Sequence, residues 1–163
     1  MNKEIQKLVD LGEMLPLMEE FYTIQGEGFH KGTAAYFIRL GGCDVGCHWC
    51  DVKESWNANL HPPTLTSKIV ENAKKYSDTI VITGGEPLSK KNRILKIAEF
   101  ASSLNIRVRL VTRGWELNKE LCRELKESGI TRIQIGLDSS GDIAFADSKQ
   151  NQWDTFHSWL RDD

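Results

Sequence analysis

The chain has no long uninterrupted apolar run, and nothing in it approaches the ~20 consecutive apolar residues that a membrane-spanning helix needs. It also lacks an excess of one charge: the formal net charge is −2, so a basic surface for nucleic acid is not indicated. Residues 1–10 carry four charged side chains and no apolar core, so we expect no secretory leader. These absences exclude membrane proteins and proteins that bind nucleic acid through its backbone.

Cysteine is scarce, and its distribution does not suit a disulfide framework. Three of the four cysteines lie within eight residues and the fourth, Cys122, is far away in sequence. This distribution favours a reducing compartment, and we expect a cytoplasmic protein. A low-complexity linker is also missing, so the 163 residues, 40% of them hydrophobic, are predicted to form one domain spanning 1–163.

The three clustered cysteines are the most informative residues that are present. Cys43, Cys47 and Cys50 follow the apolar run Tyr36–Leu40 at a CxxxCxxC spacing. A 4Fe–4S cluster is held by cysteine thiolates and normally takes four of them. Three thiolates leave one iron without a protein ligand, so the spacing favours a cluster whose open iron binds a substrate or cofactor.

Two other interpretations of these cysteines stay open at this stage. A structural zinc site needs four ligands, and His48 or His61 is available as the fourth, but no second Cys or His pair follows at finger spacing. A dithiol redox motif accounts for a CxxC pair but leaves Cys43 unexplained. The cluster explains all three residues.

Apolar strand-like runs alternate with segments of helical spacing. The runs are Tyr36–Leu40, Thr79–Thr83, Arg107–Thr112 and Arg132–Leu137, with Glu19–Ile24 a weaker candidate. Three helices are predicted between them: one opened by Thr66, one capped by Ser89, and one that carries Leu117 and Leu121 and ends at Gly129. This alternation predicts an α/β fold with parallel strands and right-handed crossovers. Four or five strands cannot close an eight-stranded barrel, so an open partial barrel is expected.

Four unusual loops follow the four strong strands. They are the cysteine segment, Thr83–Pro87, Thr112–Gly114 and Asp138–Ser140. Because ligands of parallel α/β sheets lie outside the carboxyl ends of the strands, we expect these loops to meet at one functional rim.

With CxxxCxxC and the segment Thr83-Gly84-Gly85-Glu86-Pro87 both in place, the chain resembles the radical S-adenosylmethionine (SAM) superfamily. The resemblance implies a 4Fe–4S cluster on Cys43, Cys47 and Cys50, with SAM bound at the open iron. It also implies that the glycine-rich loop contacts the methionine amino group of SAM. Glycine suits that position because it lets a backbone approach a ligand closely.

Residues 14–88 resemble, more narrowly, the 7-carboxy-7-deazaguanine synthases, through Gln25-Gly26-Glu27-Gly28, Arg39 and the motifs above. The resemblance implies a carbon–nitrogen lyase of queuosine and 7-deazapurine biosynthesis. SAM cleavage would generate a 5′-deoxyadenosyl radical, which abstracts hydrogen from 6-carboxy-5,6,7,8-tetrahydropterin before its ring contracts and ammonia leaves. The implied pterin contacts are Ile24, Gln25, Gly26, Arg39 and Thr83, and the implied SAM contacts are Trp49, Asp51, Gly85 and Glu86. Thr112 and Asp138, beyond this range, are further candidates for SAM because they lie at strand ends, with capping of the following helix by Asp138 or Ser139 as the alternative. Arg39 also makes sense independently, because a guanidinium pairs bidentately with a carboxylate, although without the resemblance a strand-edge arginine paired with a surface acid would be the favoured interpretation.

The chain departs from this family in two respects. Val52 stands where the family has a Thr or Ser ligand to Mg²⁺, so the magnesium site is in doubt, with Ser55, Asp51 or water as alternatives. Residues 89–163 resemble a generic radical SAM domain instead and are shorter than the corresponding part of the synthases. Two other functions therefore stay open: a glycyl-radical-activase-like protein, or a scaffold that binds the cluster and SAM without turning over the pterin.

The expected partners are the pterin and a flavodoxin-like reductant, with no nucleic acid and no membrane. The aromatic residues Trp153, Phe156 and Trp159 form either a packing stripe or the contact of a homodimer. We expect His30, His61 and His157 at the surface.

Overall fold

The computed structural model describes residues 2–26, 28–46, 48, 50 and 52–136. Its helices and strands, in chain order, are α1 (Lys3–Asp10), β1 (Met14–Ile24), β2 (Ala34–Leu40), β3 (Pro63–Leu65), α2 (Thr66–Lys74), β4 (Thr79–Gly84), α3 (Lys91–Ser103), β5 (Arg107–Thr112), α4 (Lys119–Ser128) and β6 (Ile130–Ile135). Short 3-10 helices cover Lys53–Trp56, Ala58–Leu60 and Pro87–Lys90.

The six strands form one sheet in the order β3-β1-β2-β4-β5-β6. Strands β2, β4, β5 and β6 are parallel, which confirms the predicted α/β partial-barrel fold. Strand β5 has the predicted bounds, whereas β6 begins two residues earlier than expected and Leu137 lies outside the described residues.

The edge formed by β1 and β3 is antiparallel and was largely missed from the sequence. Strand β1 is longer than the predicted Glu19–Ile24 and pairs antiparallel with both β2 and β3. Helix α1 and strand β3 were not predicted at all. Strands β1 and β2 form a hairpin, and its loop carries Gln25 and Gly26.

The sheet has two different faces. The helix-facing side holds the core, in which Ile38, Ile82 and Leu110 pack with helix residues such as Ile69 and Ile97, all with no more than 1% of their surface exposed. Side chains alternate along a strand, so their neighbours point to the opposite face, which we call the inner face. The inner face carries the stacked rings of Phe21 and Phe37, 5.6 Å apart, and beyond them the polar residues of the site.

The predicted helix boundaries were partly wrong. Ser89 lies within a 3-10 turn and does not cap α3, whose N-cap is Lys90 with no side-chain hydrogen bond. Thr66 is the first residue of α2, and its hydroxyl donates to the Gly12 carbonyl at 2.5 Å. The end of α4 at Gly129 is confirmed, because this residue has φ = 103° and occupies the left-handed region that glycine favours. Within the described ranges, no helix has the length and apolar character needed to cross a bilayer.

Candidate functional site

The carboxyl ends of β2, β4 and β5 meet at one rim, as predicted for the first three loops. A cavity of about 290 Å³ opens there, lined by Arg39, Cys43, Val45, Cys50, Val52, Ser55, Trp56, Thr83, Gly84, Gly85, Glu86 and Arg113. The fourth predicted loop, Asp138–Ser140, lies outside the described residues. Two of the three motif cysteines therefore share a cavity with the glycine-rich loop.

Gly85 and Cys43 approach each other closely in the rim. A Cβ atom built on Gly85 would lie 2.1 Å from the Cβ of Cys43 and 2.9 Å from its Sγ, so only glycine fits here. The Gly85 amide donates to the Leu40 carbonyl at 3.3 Å, which holds the two loops together. Cys43 and Cys50 are free thiols, and this chemistry fits a cluster held by thiolates.

The 3-10 helix Lys53–Trp56 holds the start of the cysteine loop through hydrogen bonds. The carbonyl of Ser55 accepts from the amides of Gly42 and Cys43, at 2.6 and 3.0 Å. The Ser55 hydroxyl donates to the Val52 carbonyl at 2.7 Å. Ser55 is buried, and these bonds fix the backbone position of Cys43, the first cysteine of the motif.

His61 belongs to this support, and the expectation that it lies at the surface was wrong. It is 8% exposed, and its Nε2 is 2.8 Å from the Glu54 carbonyl oxygen. A Cβ on Gly41 would lie 2.1 Å from the His61 ring, so the imidazole packs directly on the strand end. The sequence carried no local signal for this contact.

Arg39 and Thr83 lie side by side at the cavity, since they are partners in the β2–β4 pairing. Arg39 forms an ion pair with Glu19 of β1, and its guanidinium carbon lies 5.7 Å from the centre of the Phe21 ring. Its side chain keeps 34% of its surface exposed. A guanidinium held against an aromatic face, with donors still accessible, is suited to an anionic ligand.

Glu86 is buried and joins the glycine-rich loop to the end of β5. Its Oε1 accepts from the Thr112 hydroxyl at 2.5 Å and from the Leu88 amide at 3.1 Å, while Oε2 accepts from the Arg113 amide at 2.8 Å. The Thr112 oxygen in turn accepts from the Gly114 amide at 3.0 Å. The carboxylate therefore orders the backbone from which Arg113 reaches the cavity, a role that the sequence did not indicate.

The hairpin residues predicted to touch the pterin lie away from this cavity. Gln25 is buried, and its Nε2 donates to Oε1 of Gln134 on β6 at 2.9 Å. Ile24 is 64% exposed, and no atom comes within 4 Å of a Cβ built on Gly26. Strands β2 and β6 are three interstrand spacings apart, or roughly 14 Å. The structure thus brings Arg39 and Thr83 to the cysteines but leaves Ile24, Gln25 and Gly26 across the inner face.

Four predicted site residues, Cys47, Trp49, Asp51 and Asp138, lie outside the described residues. Thr112 is described, but it is engaged with Glu86 and does not line the cavity. Among the residues that the structure describes, no three His, Cys, Asp or Glu side chains are grouped to hold a metal ion, and no magnesium site is assembled there.

Arg113 and Arg93 are site residues that sequence reasoning did not identify. Arg113 follows Thr112 directly and lines the cavity. Arg93 lies four residues before buried Ile97, on the same face of α3, and that spacing was the available signal.

Comparison with known proteins places this geometry in context. Residues 37–159 match the sequence profile described as "Radical SAM superfamily". The chain is similar to a 7-carboxy-7-deazaguanine synthase of Flavobacterium psychrophilum, with 64% identity over 121 residues, 71% of this chain and 58% of the relative. It is also similar to a 7-carboxy-7-deazaguanine synthase of Prochlorococcus marinus, with 34% identity over 85% of this chain and 71% of that relative.

The fold is similar to a solved structure, the crystal structure of QueE from Escherichia coli. The TM-score is 0.64 with 21% identity, and the match covers 95% of this chain and 82% of that one. The chain spans 58% of the length of the Flavobacterium relative. An alignment that covers 71% of this chain must extend beyond residue 88, so the similarity is not confined to the predicted range of 14–88.

Proposed function

This chain belongs to the 7-carboxy-7-deazaguanine synthase family of the radical SAM superfamily, and we propose that it converts 6-carboxy-5,6,7,8-tetrahydropterin to 7-carboxy-7-deazaguanine with loss of ammonia. The observation that carries this proposal is the shared cavity: motif cysteines, the glycine-rich loop, and a strand arginine suited to a carboxylate all open into it. The substrate carries such a carboxylate.

In this proposal Cys43, Cys47 and Cys50 hold a 4Fe–4S cluster. The support is the pair of free thiols at the rim and the loop that Ser55 fixes beneath Cys43. When bound, the cluster and SAM supply the radical that removes a hydrogen atom from the pterin. The protein's own task is to bind, orient and shield the reactants.

SAM is proposed to lie over Gly85, in contact with Trp49, Asp51 and Asp138. The cavity supports this position, because Gly85 lines it together with Cys43 and Cys50. For Glu86 and Thr112 we propose that they help to hold SAM by ordering the end of β5, where their hydrogen bonds lie.

The pterin is proposed to bind on the inner face, with its carboxylate on Arg39 and its ring beside Thr83. Gln25, Gly26 and Ile24 would approach from the hairpin loop on the opposite side. The support for this arrangement is that Gln25 folds over the inner face to reach β5 and β6, where it contacts Gln134 and Arg109. The hairpin loop thus borders the inner face, on which Arg39 also lies.

We further propose that residues 1–163 form a single domain. We propose that a flavodoxin-like protein donates the electron to the cluster, and that the protein forms a homodimer. For Mg²⁺ we propose Ser55, Asp51 or water as the ligand. Val52 has no oxygen in its side chain to replace the family ligand.

The decisive experiment is an anaerobic assay with the pterin, SAM and dithionite, with the product identified by mass. We expect 7-carboxy-7-deazaguanine and free ammonia. SAM cleavage without pterin product would favour the scaffold instead, and modification of a protein glycine would favour an activase.

The cysteine assignment has its own test. Alanine at position 43, 47 or 50 should abolish the cluster absorbance after reconstitution, whereas Cys122→Ala should keep it. Burial raises the pKa of the Cys122 thiol, which suits an inert side chain. Equal loss of the cluster in all four variants would contradict the three-ligand assignment.

Arg39→Ala tests the pterin pocket. Loss of charged hydrogen bonds worth about 1.5–3 kcal/mol should raise the KM for the pterin about 10- to 100-fold. Uncoupled SAM cleavage should continue. Arg107→Ala is the matched control, because Arg107 is also a strand arginine in an ion pair, with Asp78, but begins β5 at the opposite end of the sheet. Unchanged KM in Arg39→Ala would remove this residue from the pocket.

A further inference from the structure

Arg93 is a buried cation in the first turn of α3. Only 5% of its surface is exposed, although arginine is almost never fully buried unless it is paired. Its Nε donates to the Val9 carbonyl at 3.3 Å, at the end of α1. A carbonyl oxygen carries only a partial charge, so this bond does not neutralise the guanidinium.

No carboxylate within the described ranges forms an ion pair with Arg93. The acids that face it are Asp10 on α1 and Asp44 on the cysteine loop, and both are exposed to water. Asp44 is already engaged with Lys90 at 2.7 Å. Burial lowers the pKa of the Arg93 guanidinium, and the two acids oppose this only in part. A buried charge without a close partner costs several kcal/mol.

The guanidinium lies directly beneath the cysteine loop. A Cβ on Gly42 would be 3.2 Å from Nη1 of Arg93, and Gly42 is the residue before Cys43. Arg93, Cys43, Gly85 and Glu86 line one small crevice of about 10 Å³. That volume has room for at most about one water molecule, so no free organic anion fits beside the guanidinium.

We propose that Arg93 supplies the counter-charge for the cluster held by the cysteine loop and thereby raises its reduction potential. A 4Fe–4S core with three thiolates carries a net charge of −1 when oxidised and −2 when reduced. A nearby cation stabilises the more negative form more strongly, and net charge and burial are known to set such potentials. This inference rests on the proposed function, since it requires the cluster.

Arg93 is thus a positioning and electrostatic residue and not one that touches substrate. Two substitutions separate its charge from its shape. Arg93→Gln removes the charge but keeps an amide that can donate to the Val9 carbonyl, and Arg93→Lys keeps the charge. Lys91→Gln is the control, because it removes the same charge from the same turn of α3, where Lys91 is exposed and pairs with Glu124.

The readout is the reduction potential of the reconstituted cluster, without SAM or pterin, from an EPR-monitored titration with dithionite as the one-electron donor. At a fixed solution potential, Arg93→Gln should lower the ratio of reduced to oxidised cluster about tenfold, or 59 mV for one electron. Such a change corresponds to removing one charge at a distance on the order of 10 Å at an effective dielectric of about 20. Arg93→Lys and Lys91→Gln should stay within about threefold of the wild type.

Equal potentials in Arg93→Gln and wild type would overturn the inference, as would equal shifts in Arg93→Gln and Arg93→Lys. If Arg93→Gln folds but takes up no iron while Arg93→Lys does, the inference is supported, because the charge is then needed for binding. If the apo form of Arg93→Gln does not fold and that of Arg93→Lys does, the inference is overturned, because the charge then serves the fold. A wild-type chain that takes up no iron would instead overturn the proposed function.

Discussion

Two parts of the inner face are built by different physical means. The cysteine rim, which comprises residues 39–43 and 83–86, depends on close packing against two glycines: the His61 ring packs on Gly41, and Cys43 packs on Gly85. The hairpin loop, residues 25–33, instead crosses the face through side-chain hydrogen bonds, from Gln25 to Gln134 and from Arg109 to Thr33. The side chain of Ile24, just before the loop, is 64% exposed, and that of Phe29, within the loop, is 93% exposed.

The difference shows how each region can fail. A close-packed rim has no room to adjust, so one added methyl group must displace a backbone. A loop held by separate side-chain hydrogen bonds loses about 1–3 kcal/mol for each bond and can find new partners. We therefore expect substitutions in the rim to cause an all-or-none loss of the local structure, whereas substitutions in the hairpin loop should lower stability in graded steps.

Gly85→Ala should give the largest effect. Its new Cβ would lie 2.1 Å from the Cβ of Cys43, so the two loops must separate, at a cost of about 3 kcal/mol or more. Iron per chain should fall to a tenth or less of the wild-type value. Gly136→Ala is the matched control, because among the described residues the nearest atom to its Cβ would be the Thr112 carbonyl oxygen, at an ordinary contact distance of 3.9 Å. Full iron loading of Gly85→Ala would contradict the rigid rim.

Glu86→Gln should rank second. The amide replaces one of two buried oxygens that accept three hydrogen bonds, so the free energy of unfolding should fall by about 2 kcal/mol in urea. Glu13→Gln provides the comparison, because Glu13 forms an exposed pair with Lys96 and should cost less than about 1 kcal/mol. Similar losses in both variants would show that the buried hydrogen bonds of Glu86 stabilise the protein no more than an exposed ion pair does.

The Gln25–Gln134 hydrogen bond should rank third. A double-mutant cycle with Gln25→Met and Gln134→Met should give a coupling of about 1 kcal/mol in the free energy of unfolding. The exposed pair Gln6–Asp10 on α1 should couple by no more than about 0.5 kcal/mol. A coupling near zero for Gln25–Gln134 would mean that the hairpin loop is held by something else.

The Asp44–Lys90 pair should give the smallest effect although it borders the rim. The bond from Lys90 lowers the pKa of the Asp44 carboxyl, so its stabilisation is present above the unfolded-state pKa and is lost as pH falls through the lower folded-state pKa. Both side chains are about half exposed, so Asp44→Asn should cost less than about 0.5 kcal/mol at neutral pH. A larger loss, or one that salt does not reduce, would place this pair within the rigid rim.

Features encoded by neighbouring residues were accessible from the sequence. The runs that became β2, β4 and β5 end where predicted to within one residue, because β-branched residues cluster in them. The rim was also predictable, since parallel strands bring their carboxyl ends together. That the cysteine loop and Thr83–Pro87 share this rim followed from topology, whereas the direct contact of Cys43 with Gly85 was not predicted.

Features that depend on distant residues were not accessible. Strand β1 begins as early as Met14 because residues 14–16 pair with β3 near residue 64, and nothing local indicates that partner. The contact of Gln25 with Gln134 joins residues 109 positions apart and keeps Gln25 away from Arg39. His61 was predicted at the surface because polar side chains usually are exposed, and only its contact with Gly41 reveals otherwise.

The edge strand β3 has a consequence for self-association. Pro63 pairs with Pro16 of β1, and neither residue has an amide hydrogen to offer a ladder. With only three residues and a proline at its start, β3 is a poor template for a further strand from another molecule. Growth of the sheet from this side, whether by a second copy of this protein or into a fibril, is therefore discouraged.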